Sequence, residues 1–405
     1  MKDALSRRVQ SIKDSPTLAV DAKAKAMKAQ GIDVASFGAG EPDFDTPANI
    51  RQAAINAINA GFTKYTPASG TDELRDAVAR KFKRDQGLNY ERAQVLISVG
   101  GKHSLYNIMQ AVLDPGDEII IPAPYWVSYP DMAILAGAKP VIVPTSEKHG
   151  FVARPADIEK AITRKTKMIV INSPSNPTGG AYTEAELKKI AVLAKKHDLL
   201  VMSDEIYEKM IYGGFKFYSI AQASADAYSR TIVFNGVSKT YSMTGWRIGY
   251  AAGPKEIIAA AGKIQSQSTS NPTSISQKAA FAALEGPQKD VATMVKAFDK
   301  RRKYCVQRLN KMPKITCFNP QGAFYVLPNF NAYIGKSYIA KNSGETKRIV
   351  NDMDLAGYLL TEALVAAVPG SAFGAPGYLR LSYATGMDVI KKGLDRIEKA
   401  LADLK

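Results

Sequence analysis

Lys239 closes an apolar run, Thr231-Ile-Val-Phe-Asn-Gly-Val-Ser-Lys239, and Arg247 follows eight residues on in Met243-Thr-Gly-Trp-Arg247. A lysine amine can form a Schiff base with a carbonyl, and a guanidinium nearby can clamp a phosphate. Three further segments carry candidate chemistry. Met202-Ser-Asp204-Glu-Ile-Tyr207 ends a second apolar run on a carboxylate that could oppose a cationic ring nitrogen, or simply cap a turn. Asn172-Ser-Pro-Ser-Asn176-Pro-Thr-Gly-Gly180 is a rigid loop, either a tight connection or one shaped to a ligand. Val99-Gly100-Gly101-Lys102 opens a helix, and helix N-terminal amides bind phosphate well. Neither GxGxxG nor GxxxxGK[ST] occurs, which weakens dinucleotide and nucleoside triphosphate readings.

These residues need elements to hold them. Apolar runs predict strands over Val95–Ser98, Glu118–Ile121, Pro140–Val143, Met168–Asn172, Leu199–Ser203 and Thr231–Phe234. Several are continuously apolar, the pattern of strands covered on both faces. Helical patterns lie between them, over Lys102–Leu113, Ala156–Thr163 and Glu184–His197, the last opened by the capping box Thr183-Glu-Ala-Glu186. Strands alternating with helices predict an α/β fold with a mostly parallel sheet between helices. In such a sheet, ligands sit at the carboxyl ends of the strands, where Lys239, Asp204, Asn176 and Gly100 all fall. The chain ends read differently. A long charged helix over Asp290–Lys311 leads to short strands around Ala323–Leu327 and Tyr378–Ser382 and helices around Asp354–Glu362 and Val389–Leu404. A helix over Ser15–Gln30 and a run Val34–Phe37 are expected to pack on this part. The predicted organisation is an N-terminal arm with part of a smaller α+β domain (1–46), a large cofactor domain (47–288), and an interdomain helix with the rest of the small domain (289–405).

Among the 405 residues, 54 Lys and Arg face 38 Asp and Glu, a formal net charge of +16. With 46% hydrophobic residues the chain is not disordered. Cys305 and Cys317 are too few for a disulfide framework, and with three scattered histidines they form no zinc pattern, so no metal is expected. No apolar run is long enough for a signal peptide or membrane helix. The segment Lys2–Lys28 is basic, but Asp3, Asp14 and Asp21 speak against a transit peptide. A cytoplasmic enzyme is the expectation, with no membrane and no nucleic-acid partner.

Taken together these segments resemble the fold-type I pyridoxal-phosphate aminotransferases of class I, specifically the bacterial aspartate aminotransferases. The similarity extends from Leu5-Ser-Arg-Arg to the last helix. Its most specific parts are Ala39-Gly-Glu-Pro-Asp-Phe-Asp-Thr-Pro47, Pro124-Tyr-Trp-Val-Ser-Tyr129, Asn172–Gly179, Ser203–Tyr207, Ser238–Gly249 and Arg380-Leu-Ser-Tyr.

The resemblance implies a large domain with a mostly parallel sheet of the seven-stranded type, and a role for each site residue. Lys239 would hold pyridoxal 5′-phosphate covalently and, once freed, move a proton at the substrate Cα as general base and acid. Asp204 would keep the pyridine nitrogen protonated. Tyr207 and Asn176 would bond the phenolic oxygen, and Trp126 would stack on the ring. Gly100, Gly101, Lys102 and Arg247 would hold the phosphate, joined by Tyr65 from a neighbouring subunit. Arg380 would grip the substrate α-carboxylate, with Gly40 presenting its backbone and Trp126 and Asn176 lining the same side. Lys102 is the candidate for a distal carboxylate, and Arg7 or Arg8 would face the site if the N-terminal arm folded over. One departure is Gly236, where many relatives place a hydroxyl residue three positions before the lysine. The implied activity is transamination between L-aspartate or glutamate and 2-oxoglutarate or oxaloacetate, extending to prephenate, by a homodimer with shared sites. The alternatives are an aromatic or broad-range aminotransferase, or a pyridoxal-phosphate lyase on the same scaffold. A transcription regulator with an aminotransferase-like domain would need a DNA-binding module, for which the match leaves no room.

Overall fold

The computed structural model describes residues 4–12, 14 and 16–405. Ser15, the expected start of the first long helix, and Lys2 and Asp3 of the basic N-terminus lie outside the described residues.

The central sheet has seven strands: β1 (Val95–Ser98), β2 (Glu118–Ala123), β3 (Lys139–Pro144), β4 (Thr166–Asn172), β5 (Leu200–Asp204), β6 (Thr231–Gly236) and β7 (Gly249–Ala252). Their spatial order is β1-β7-β6-β5-β4-β2-β3. Neighbours run parallel except around β7, which is antiparallel to both β1 and β6. Six strands fall on the predicted apolar runs. The seventh, β7, was not anticipated, because Gly249-Tyr-Ala-Ala252 offers mostly small side chains rather than a β-branched run.

The strands alternate, with both faces apolar. Ile119, Ile121, Met168 and Val170 pack with Leu105, Ile108 and Met109 of α2 (Gly101–Val112) on one face. Ile120, Ile169, Ile171 and Val201 pack with Leu187 and Ile190 of α3 (Glu184–Lys196) on the other. The predicted capping box opens α3: Thr183 Oγ1 accepts from the Glu186 amide, and the Glu186 carboxylate accepts from the Thr183 amide at 2.7 Å.

The helices Lys255–Ser268 and Ser274–Glu285 follow β7, and further elements come from the ends of the chain. α4 (Lys289–Leu309) leads to an antiparallel sheet of β8 (Tyr325–Val326), β9 (Val368–Pro369) and β10 (Leu379–Ser382), with β10 central. α5 (Met387–Ala402) buries Ile390, Leu394 and Ile397 at helical spacing. Near the start of the chain, α1 (Pro16–Ala29) is followed by Ala35–Ser36, which pairs parallel with Val365–Ala366. Cys305 and Cys317 are free and buried, and burial pushes the Cys305 thiol up to about 12. No helix among the described residues is long and apolar enough to cross a membrane.

Candidate active site

The carboxyl ends of β4, β5 and β6 lie side by side, with Asn172 opposite Asp204 and Asp204 opposite Phe234. β7 runs the other way, so its first residue, Gly249, shares this edge with Gly236 of β6 and Ser98 of β1. Sheet topology alone therefore brings Asp204, the loop after Asn172, Lys239, Arg247 and the start of α2 to one edge. A cavity of about 500 Å³ opens there. Its lining includes Gly40, Gly101, Lys102, Trp126, Asn176, Asp204, Tyr207, Lys239, Arg247 and Arg380. Gly100 precedes the lining residue Gly101 without lining the cavity itself, and Tyr65 stays outside, 91% exposed on the surface.

Asp204 is buried at the end of β5. Its Oδ2 accepts from the Tyr129 hydroxyl at 2.6 Å, and its Oδ1 from the Ile206 amide at 3.2 Å. Burial raises its pKa to about 6, against the pull of these two donors and of Lys239. Lys239 donates to the Gly40 carbonyl at 2.5 Å. Burial lowers its pKa to about 8; Glu41 works against that fall, while Arg247 and Arg380 add to it. An amine in this range is partly neutral near pH 8 and can act as nucleophile and as proton carrier.

The Arg380 guanidinium is buried, and its acceptors among the described residues are neutral: Asn176 Oδ1 at 3.1 Å from Nη1 and the Gly38 carbonyl at 2.8 Å from Nη2. It lies 4.6 Å from the centre of the Tyr325 ring, and Tyr325 shares a 2.9 Å hydroxyl–hydroxyl hydrogen bond with Tyr207. Asn176 is itself fixed, its amide donating to Asn172 Oδ1 at 2.9 Å. The Lys102 ammonium sits 4.9 Å from the centre of the Trp126 ring.

Glycines allow the phosphate-type cradle. Gly100 has φ +85°, and a Cβ there would overlap the Arg247 guanidinium. A Cβ on Gly249 would overlap the Gly101 amide. Arg247 holds a left-handed φ of 56° and donates to the Thr244 carbonyl at 2.8 Å. In the first turn of α2 the His103 amide donates to the Gly100 carbonyl at 3.1 Å, and the Gly101 and Lys102 amides precede it at the helix N-terminus, where such groups lack an intrahelical acceptor. At Gly236 a Cβ would lie 3.1 Å from both Gly249 Cα and the Ile248 carbonyl, which leaves little room for the hydroxyl side chain of many relatives. Ser238 is buried and lines the cavity.

These features fit an anionic, aromatic cofactor. Lys102, Lys239, Arg247 and Arg380 converge on one cavity, whose described lining holds one buried carboxylate, Asp204, beside the less buried Asp21 and Glu41. Arg380 Nε and Asn235 Nδ2 are buried polar atoms with no hydrogen-bond partner among the described residues. Such atoms are costly unless something polar meets them.

Several contributors were not assigned from the sequence. Tyr129 belongs to the Pro124–Tyr129 segment, but its partner Asp204 is 75 positions away in the chain. Glu41, whose carboxylate accepts from Thr244 at 2.7 Å, and Tyr325 line the same space. At the mouth stand Thr17, Leu18, Asp21 and Lys25 of α1; Arg7 and Arg8 do not line the cavity.

Comparison with known proteins agrees with this geometry. The family described as "Aminotransferase class I and II" matches residues 32–397. An aspartate aminotransferase of Geobacillus stearothermophilus is 50% identical over 98% of both chains. An aspartate/prephenate aminotransferase of Cereibacter sphaeroides is 50% identical, covering 100% of this chain and 99% of that one. The crystal structure of the aspartate aminotransferase from Rhizobium meliloti superposes with a TM-score of 0.94 at 44% identity, over 99% of each chain. That of Thermus thermophilus, solved with maleate, gives 0.91 at 43% identity, over 98% of this chain and 99% of that one. Fold, cavity and full-length similarity together establish that this chain belongs to the class I and II aminotransferases, enzymes that work with pyridoxal 5′-phosphate.

Proposed function

We propose that this enzyme moves the amino group between L-aspartate or glutamate and 2-oxoglutarate or oxaloacetate, and that it also converts prephenate to arogenate. The observation that carries the reading is the convergence of Lys239, Asp204, Arg247 and Arg380 on one cavity. Relatives named for aspartate, and for aspartate with prephenate, support the substrates at about equal identity. When bound, pyridoxal phosphate supplies the electron-withdrawing ring that makes a substrate Cα–H acidic.

The chain's own residues then divide the work. Lys239 anchors the cofactor and moves the proton at Cα. Asp204, steadied by Tyr129, opposes the ring nitrogen and favours its charged form. Tyr207 and Asn176 bond the ring's phenolic oxygen, and Trp126 covers its face. The Gly100, Gly101 and Lys102 amides and the Arg247 guanidinium hold the phosphate. Arg380, a buried cation without an anionic partner among the described residues, grips the substrate α-carboxylate beside the Gly40 backbone. Lys102, reachable at the cavity wall, meets the distal carboxylate.

The working form in this reading is a cytoplasmic homodimer. Tyr65 has no task in its own cavity and is exposed, as a residue serving the neighbouring subunit's phosphate would be. The domain division proposed is 1–46 with 289–405 as the small domain and 47–288 as the large one. Steady-state rates with aspartate, glutamate and prephenate test the substrate reading. Aspartate with 2-oxoglutarate is expected among the fast pairs. Absence of aspartate turnover beside good activity on a β-eliminating substrate would overturn it in favour of a lyase.

A further inference from the structure

The loop that carries Tyr65 belongs to no helix or strand, yet its position is tightly set. At Gly70, φ is +95° and a Cβ would overlap Ile97, so the loop lies directly on β1. Two glutamines hold it from beneath. Gln277 is 1% exposed; its Oε1 accepts from the Thr71 amide at 2.8 Å, and its Nε2 donates to Thr66 Oγ1 at 3.0 Å. Gln265 is 0% exposed; its Nε2 donates to the Ala68 carbonyl at 2.6 Å, and its Oε1 accepts from Ser98 Oγ at 2.7 Å. Ser98 is the last residue of β1, two before Gly100.

A buried amide side chain is costly unless its donors and acceptors are used. An apolar residue would fill either position without that cost. What the glutamines add is a fixed hydrogen-bond template for the backbone and side chain of residues 66–71. We infer that Gln277 and Gln265 are positioning residues for Tyr65, holding its loop so that the hydroxyl reaches the phosphate site of the neighbouring subunit. Gln265 also ties this loop to the strand that feeds its own subunit's Gly100–Lys102 cradle. One amide thus registers the half of the phosphate site a subunit keeps against the half it lends. The inference rests on the shared-site reading proposed above.

The test uses hybrid dimers assembled from differently tagged full-length chains. One subunit carries Lys239→Ala, so the visible band of lysine-bound cofactor reports only the other subunit's site. That live site receives its Tyr65 from the Lys239→Ala subunit. Gln277→Met is placed first in the Lys239→Ala subunit and then, separately, in the live one, and pyridoxal phosphate is titrated into each apo-hybrid. Affinity is expected to fall about tenfold, the scale of one hydrogen bond to a charged group, only when Gln277→Met is in the Lys239→Ala subunit. General destabilisation would act in both arrangements. An equal effect in both, or none in either, overturns the inference. Tyr65→Phe in the Lys239→Ala subunit is the control. If it weakens the live site while Gln277→Met does not, the positioning role is wrong and the shared site stands. If Tyr65→Phe has no effect there, the shared-site reading fails, and the inference with it.

Discussion

Replacing Arg380 with lysine keeps a positive charge and removes a fork. Arg380 is 3% exposed and spends Nη1 on Asn176 and Nη2 on the Gly38 carbonyl, while Nε has no partner among the described residues. Burial pulls its pKa below the ordinary arginine value, and among the described residues no carboxylate is paired with it. In the proposed reading this charge meets the incoming α-carboxylate. A lysine ammonium could keep one anchor or meet the substrate, but it cannot reproduce the planar pair of parallel bonds. Losing one charge-assisted hydrogen bond costs about 1.5–3 kcal/mol, which is roughly a 10- to 100-fold fall in kcat/KM. Amino donor and oxo acceptor share the α-carboxylate, so both should suffer, mainly through KM, as loss of uniform binding requires. Cofactor absorbance should stay as in the parent enzyme. Steady-state kinetics on both substrates reads the effect. A change of less than about threefold in both kcat/KM values would refute the assignment of Arg380 as the carboxylate clamp.

Two further outcomes follow from the same geometry. Gly249→Ala drives a Cβ into the Gly101 amide and should weaken pyridoxal phosphate binding by about tenfold or more, read by titrating the apoenzyme; unchanged affinity would show that the cradle tolerates the shift. With Lys239 brought down to about 8, the neutral amine is the minor form well below that pH and the major form above it. The rate at which the apoenzyme captures pyridoxal phosphate should therefore rise with pH through about 8 and level off above it, whereas a midpoint near 10.5 would mean an unperturbed lysine.

The sheet was largely legible because its buried strands are local apolar runs, and the strand-end positions of Asp204 and Lys239 follow from such runs. β7 escaped because antiparallel pairing with β1 and β6 stabilises a segment whose own residues are small. The site's partners escaped for a different reason. Tyr129 meets Asp204 across 75 positions, and Thr244 meets Glu41 across 203, separations that no local spacing encodes. The mouth residues of α1 depend on how that helix is rotated against the cavity, which its weakly patterned sequence does not specify. Gln265 and Gln277 look like ordinary polar helix residues until the loop beneath Tyr65 is laid on them.

The central claim is that Lys239, in the cavity shared with Asp204 and Arg380, carries amino-group transfer from aspartate. The direct test measures oxaloacetate formed from L-aspartate and 2-oxoglutarate by the purified, pyridoxal-phosphate-loaded enzyme and by Lys239→Ala. The parent is predicted to turn over, and Lys239→Ala to lose turnover together with the visible band of lysine-bound cofactor. Turnover by Lys239→Ala at the parent rate would contradict the account.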